Sequence, residues 1–221
     1  MGRFVRDNSL SLVMFALFGL FLVAQSVTGF HVYNDDRQDH EEPPIGYAAY
    51  LRTGHFIEAT FENWESEYLQ MGAYVLFTAF LFQRGSSESK DPDKPESVDE
   101  DPRQAANDPN APWPVRKGSV WLTLYEYSLT IALLLLFVFS FVMHAIGGTG
   151  EYNEEQLAHG GQAVSTLEFV RTSEFWFQSF QNWQSEFLAV GSLAVLSIVL
   201  RQRGSPESKP VAAPHTETGS G

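Results

Sequence analysis

FENWESEYLQMG at residues 61–72 is written again as FQNWQSEFLAVG at residues 180–191, and this duplication decides how the rest of the chain is read. Seven of the 12 positions are identical. Sliding the sequence against itself by 119 residues aligns it without a gap from Asp7 with Glu126 to Lys90 with Lys209. Tyr33-Asn34-Asp35-Asp36 with His40 then answers Tyr152-Asn153-Glu154-Glu155 with His159, and Arg52-Thr53 with Phe56 answers Arg171-Thr172 with Phe175. A stretch that recurs at a fixed interval is one supersecondary block used twice.

Each block opens on an apolar run. Residues 9–30 hold 22 positions without a charge, and residues 128–143 are denser still. At 1.5 Å rise per residue, such runs reach across a hydrocarbon core of roughly 30 Å. A cleavable signal peptide is the rival for the first run, because Arg3 and Arg6 precede it and Ala24-Gln25-Ser26 would serve as a cleavage site. Its internal twin cannot be removed that way, so both runs read as resident transmembrane helices. A second apolar segment in each block, residues 69–82 or 188–200, spans only if the aromatic stretch starting at Phe61 or Phe180 continues the same helix.

The expectation is an all-α integral membrane protein with four transmembrane helices, at about 9–30, 61–83, 122–146 and 180–202. They form two tandem helical-hairpin repeats, 1–90 and 119–209, which point the same way because each has an even number of spans. Each repeat carries an amphipathic extracytoplasmic segment, IGYAAYLRTGHF or VSTLEFVRTSEFWF, suited to the outer interface. Residues 91–118, rich in acids and proline, read as a disordered cytoplasmic linker, and residues 210–221 as a disordered tail.

The charge balance narrows location and partners. With 14 Lys plus Arg against 27 Asp plus Glu, the formal charge is −13, which argues against nucleic acid as a partner. No cysteine is present, so disulfides and thiolate metal sites are excluded. Of the 14 basic residues, only Arg37, Arg52 and Arg171 fall in the two loops. The positive-inside rule therefore places both termini and the linker in the cytoplasm, with the helices in the cytoplasmic (inner) membrane.

Identity between the copies is uneven. Residues 73–80 match their twins at none of eight positions and residues 83–90 at seven of eight. Lipid accepts any apolar side chain, so specific contacts concentrate at the helix ends. On a helix, Asn63 shares a face with Glu67, and Asn182 with Glu186. Glu67 lies 15 residues before Phe82, about 22 Å of rise, which puts it in the outer part of the core. One reading makes this an interfacial girdle, with Trp64 and Trp183 as belt residues. The other makes Asn63, Glu67, Asn182 and Glu186 a polar or ion site gathered about the pseudo-two-fold axis. Glu62 and Glu65 have become Gln181 and Gln184 in the second copy, which singles out Glu67 and Glu186.

At the cytoplasmic ends, Arg84 and Arg203 sit in the repeated Gln-Arg-Gly-Ser-x-Glu-Ser-Lys, where Arg snorkels to the headgroups and Gly ends the helix in a left-handed turn. The Tyr-Asn-acid-acid-x-x-x-His stretches offer carboxylates and imidazoles, yet their spacing matches no metal signature, so a turn-and-cap role for Asn34 and Asn153 is expected and no metal site is assigned. His31, His55 and His144 have no twin. There is no phosphate loop, nucleophile elbow or paired-histidine helix motif, so no enzyme is expected and no cofactor is named.

Residues 8–29 (NSLSLVMFALFGLFLVAQSVTG), 32–40 (VYNDDRQDH) and 59–92 (ATFENWESEYLQMGAYVLFTAFLFQRGSSESKDP) resemble an uncharacterised bacterial multi-pass membrane-protein family defined only as a domain of unknown function. The resemblance covers nearly the whole chain and implies a class without an activity. The function expected is a non-enzymatic binding or assembly role, with the lipid bilayer as partner. The alternative is a small-ion or proton-coupled transport unit, which would need a homo-oligomer because four helices enclose little space.

Overall fold

A computed structural model describes residues 2–219, which are all helix, turn and loop, with no strand among the described residues. In chain order the helices are α1 (Arg3–Asp7), α2 (Ser9–Asp39), α3 (Tyr47–Tyr50), α4 (Gly54–Thr78), α5 (Trp113–Lys117), α6 (Ser119–Glu126), α7 (Ser128–Ala158), α8 (Thr166–Phe169) and α9 (Ser173–Leu196). Two of them, α2 and α7, are long and apolar enough to cross a membrane. Only 6% of the apolar window of α2 and 22% of that of α7 is buried within the protein, the opposite of a core helix in a soluble domain. Phe15, Leu20 and Phe21 on α2 and Leu129 and Leu135 on α7 all stand exposed.

Both long helices run further than their apolar parts. Tyr33 to Asp39 and Tyr152 to Ala158 are helical, so the Tyr-Asn-acid-acid stretches form the last turns of α2 and α7 and not the start of a loop. The helices then stop in the same way. The Glu42 N–H donates to the Arg37 carbonyl at 2.8 Å and the Gly161 N–H to the Gln156 carbonyl at 2.7 Å, six-to-one closures that need a left-handed residue before them. That residue is Glu41 (φ 60°) after α2 and Gly160 (φ 76°) after α7. Since a side chain in the left-handed region costs about 1 kcal/mol or more, Glu41→Gly should stabilise the protein by about 1 kcal/mol in a thermal melt, and Gly160→Ala should cost a similar amount.

The turn roles of Asn34 and Asn153 take a definite form. Asn34 Oδ1 accepts the Ile45 N–H at 2.7 Å while its Nδ2 donates to the Ile45 carbonyl at 3.2 Å. Asn153 does the same to Val164, at 2.7 and 2.9 Å. Each asparagine thus clamps the returning chain 11 residues on. The segments that follow are single helical turns, α3 and α8, in place of an extended amphipathic helix, because Thr53 and Thr172 restart the chain. Their hydroxyls accept the N–H of Phe56 and Phe175, both at 3.3 Å, and cap α4 and α9.

These caps set the starts of α4 and α9. Apolar length alone places the two helices at about 61–83 and 180–202, and they lie at Gly54–Thr78 and Ser173–Leu196. Downstream, the Ser89 and Ser208 hydroxyls accept the N–H of Gln83 and Gln202 and gather each Gln-Arg-Gly-Ser stretch into its own turn. Gly85 and Gly204 are left-handed there (φ 86° and 84°), several residues beyond the helix ends they were expected to cap. The third expected helix, about 122–146, is divided at Tyr127 between α6 and α7. The acidic stretch expected to be disordered carries 3-10 turns at Ser97–Asp99 and Pro102–Ala105, and ion pairs Arg84–Asp93 and Lys90–Asp99.

The chain divides into two compact units, Met1–Phe61 with Val142–Phe175, and Glu62–Phe141 with Trp176–Gly221. In the first unit, the start of α4 meets residues 147–151 of α7 backbone to backbone. A Cβ at Gly54 would collide with the Glu151 nitrogen, and one at Gly147 would lie 2.5 Å from the Glu58 nitrogen. Around this seam, Tyr50, Phe169, Phe175 and His144 are almost wholly buried, with the His144 ring stacked 4.8 Å from Phe175. In the second unit, Glu65 and Ser66 are buried, and Phe137, Trp176 and Phe180 pack around Trp183.

Candidate functional site

The last turns of α2 and α7 and the start of α4 line a cavity of about 840 Å³, wholly inside the first unit. Five carboxylates face it, Asp36, Glu42, Glu151, Glu154 and Glu155, against one guanidinium, that of Arg37. Arg37 is already engaged, with its ion pair to Glu42 at 2.8 Å and a bond to the Pro43 carbonyl at 3.0 Å. The Tyr33 hydroxyl donates to Glu154 at 2.8 Å, fixing one wall. At the floor, Glu151 presents an oxygen that is buried and has no hydrogen-bond partner among the described residues. The like charges of Glu58, Glu154, Asp36 and Glu155 act on that carboxylate. A buried carboxylate oxygen without a donor costs free energy that a cation or a proton recovers.

Three histidines line the same space, His40, His55 and His159. His55 sits among the rings of Tyr33 and Tyr50, and its burial lowers its pKa below the ordinary imidazole value. The pKa of His40 is raised, chiefly by its hydrogen bond to the Asp36 carbonyl and then by the Asp36 carboxylate. Deeper in the first unit, Glu58 and His144 are both buried, with ligand atoms within 4.8 Å of each other.

The motif singled out by the repeat lies in the second unit and is wired differently from expectation. Asn63 and Glu67 are exposed, and Asn182 and Glu186 partly buried. Glu67 lies near enough to Glu186 to act on it electrostatically. Yet the Asn182 amide donates to Glu62, and the Trp183 indole N–H donates to Glu65 at 2.9 Å. Trp183 therefore spends its N–H inside the second unit. Glu62 and Glu65, whose twins are glutamines, are the acceptors. That difference was itself the available signal: Glu62 and Glu65 are acids in only one of the two sequence copies. Of the expected anchors, Trp64 is partly buried, Arg84 pairs with Asp93 at 2.8 Å, and Arg203 lines a separate loop cavity of about 760 Å³ with its own Gln-Arg-Gly-Ser turn.

What reading along the sequence missed is the cavity. His40, His159, Asp36 and Glu155 were visible as twins, but nothing in their spacing says that the two copies bring them to one space. Glu151, Glu58 and His144 have no ionisable twin, and a comparison between copies discounts such positions.

No curated protein and no solved structure matches the chain. One family does, over residues 1–220, so the chain belongs to the family described as a domain of unknown function, DUF6766.

Proposed function

We propose that this is a non-enzymatic protein of the cytoplasmic membrane, made of two tandem helical hairpins with both termini in the cytoplasm, that binds a cation in its extracytoplasmic cavity. The observation that carries this reading is the imbalance of the cavity, five carboxylates against one arginine already paired to one of them. Several features support the hairpin repeat: the asparagine clamps, the threonine caps and the serine-held turns all recur at positions 119 apart. Four spans follow if α4 cooperates with α2 and α9 with α7, since a 25-residue helix rises about 37 Å. On that topology the basic residues of the linker and tail face the cytoplasm, and the cavity faces outward.

Isothermal titration of the full chain in detergent, with Ca²⁺, spermidine and Cu²⁺ in turn, tests the reading. Saturable binding of at least one, weakened tenfold or more in the Glu151→Gln/Glu154→Gln variant, is the expected result. Absence of saturable binding by all three overturns it.

The transport alternative draws on one observation, the buried Glu58 and His144 close to one another in the first unit, because buried ionisable groups in membrane proteins commonly mark ion or proton paths. Proton flux in proteoliposomes that Glu58→Gln abolishes, with cation binding retained, would favour it over static binding.

A further inference from the structure

The two histidines of the repeated stretches, 119 residues apart in sequence, stand with ring centres 6.2 Å apart at about 76° to each other. Both line the acidic cavity. Each ring is held in the same way: His40 Nδ1 lies 3.0 Å from the Asp36 carbonyl and His159 Nδ1 2.9 Å from the Glu155 carbonyl. A carbonyl oxygen can only accept, so Nδ1 carries the proton in both rings. The neutral imidazole then leaves its lone pair on Nε2. Metal-ligating histidines are oriented by this kind of backbone acceptor on the second nitrogen, which fixes the tautomer and raises ligand basicity.

The separation suits a shared ion. With a metal–nitrogen bond of about 2.0–2.1 Å, an ion lies about 3.2 Å from the centre of a ring it binds through Nε2. Two rings on one ion thus have centres at most about 6.4 Å apart, and about 5.2 Å apart in tetrahedral geometry. The observed 6.2 Å falls inside the limit.

We propose that His40 and His159 form a binding site for one transition-metal ion of nitrogen and oxygen preference, such as Cu²⁺, Ni²⁺ or Zn²⁺. Carboxylates of the same cavity complete the coordination. This rests on the cation-binding reading and names its ligand class. Asp36 and Glu155, each one helical turn before its histidine and lining the same cavity, are the candidate oxygen ligands. Ca²⁺ and Mg²⁺ prefer all-oxygen shells and gain nothing from the imidazoles. Without cysteine, thiolate-selective ions have no advantage here.

The test is Cu²⁺ binding to the full chain in detergent, followed by electron paramagnetic resonance, which counts nitrogen ligands through their hyperfine splitting. One Cu²⁺ per chain with two nitrogens is expected, falling to one nitrogen and at least tenfold weaker binding in either His40→Ala or His159→Ala. Both side chains are exposed, so helicity and melting of these variants should be unchanged. Ca²⁺ or spermidine binding at the cavity, with Cu²⁺ showing no nitrogen coordination or no response to the histidine variants, overturns the metal site and leaves the cation-binding reading standing. No binding of any of these cations overturns both.

Discussion

Gly147→Leu is expected to cost about 3 kcal/mol and to disrupt the first unit, whereas Gly191→Ala should stabilise by up to about 1 kcal/mol. The difference follows from what a side chain would meet. A Cβ at Gly147 would sit 2.5 Å from the Glu58 nitrogen and 3.0 Å from its Cα, and these are backbone atoms of α4 that no rotamer change can move. The same holds in reverse at Gly54, with the Gly147 carbonyl at 2.6 Å. Any side chain here pries the start of α4 from α7. It thereby loosens Glu58, His144 and Phe175, which are buried around the seam. Gly191 has nothing within 4 Å, so alanine there removes only the backbone entropy that glycine costs a helix. Its twin Gly72, 3.4 Å from Leu134, is intermediate. Thermal unfolding in detergent, followed by the loss of helical circular dichroism, ranks the variants. If Gly147→Leu melts like the native protein, the helices do not meet at this seam. The cavity should fail with the seam, because Glu151 at its floor is the residue whose backbone Gly54 touches.

The seam also shows where sequence reading reached its limit. The helical class, the two long apolar runs and a turn role for Asn34 and Asn153 come from local rules of hydrophobic length and turn chemistry. Those rules need only the neighbours in sequence. The helix boundaries did not follow as well, because apolar length locates the membrane-facing part of a helix and says nothing of polar turns added to it. Tyr33 to Asp39 and Gly54 to Thr60 are such turns. The cavity is further removed, since it depends on three histidines and three helix ends meeting in space. Gly147, Gly148 and Gly150 were invisible for another reason. Their twins are Thr28, Gly29 and His31, so a comparison of copies sees mostly mismatches just where one copy has been specialised for close approach.

Lys209→Met should release the end of the chain. Lys209 is 1% exposed, and its ammonium donates to the carbonyls of Gly85, Pro214, His215 and Glu217. Its twin Lys90 takes a different partner, the carboxylate of Asp99. The carbonyl cage turns the tail back over the Gln-Arg-Gly-Ser turn at residues 83–86. There the Gly85 N–H donates to Thr218 Oγ1 and the Gly219 N–H to the Ser86 carbonyl, both at 2.9 Å. Composition alone reads residues 210–221 as disordered, because nothing in them can form an apolar core. A single buried ammonium supplies the organising contact instead. Methionine keeps the length of the stem but leaves the cage without its cation. A buried acceptor left unpaired costs about 1–3 kcal/mol, and the carbonyls recover that cost by lifting into water. The loss therefore appears as local opening and not as global unfolding. Hydrogen exchange at residues 211–219 should accelerate about a hundredfold, the equivalent of roughly 3 kcal/mol, with the melting temperature little changed. Lys209→Arg should not restore protection, since a planar guanidinium does not fit a cage built around a compact ammonium. Lys90→Met is the control that should leave the tail protected, and native-like exchange in Lys209→Met would mean that the cage does not hold it.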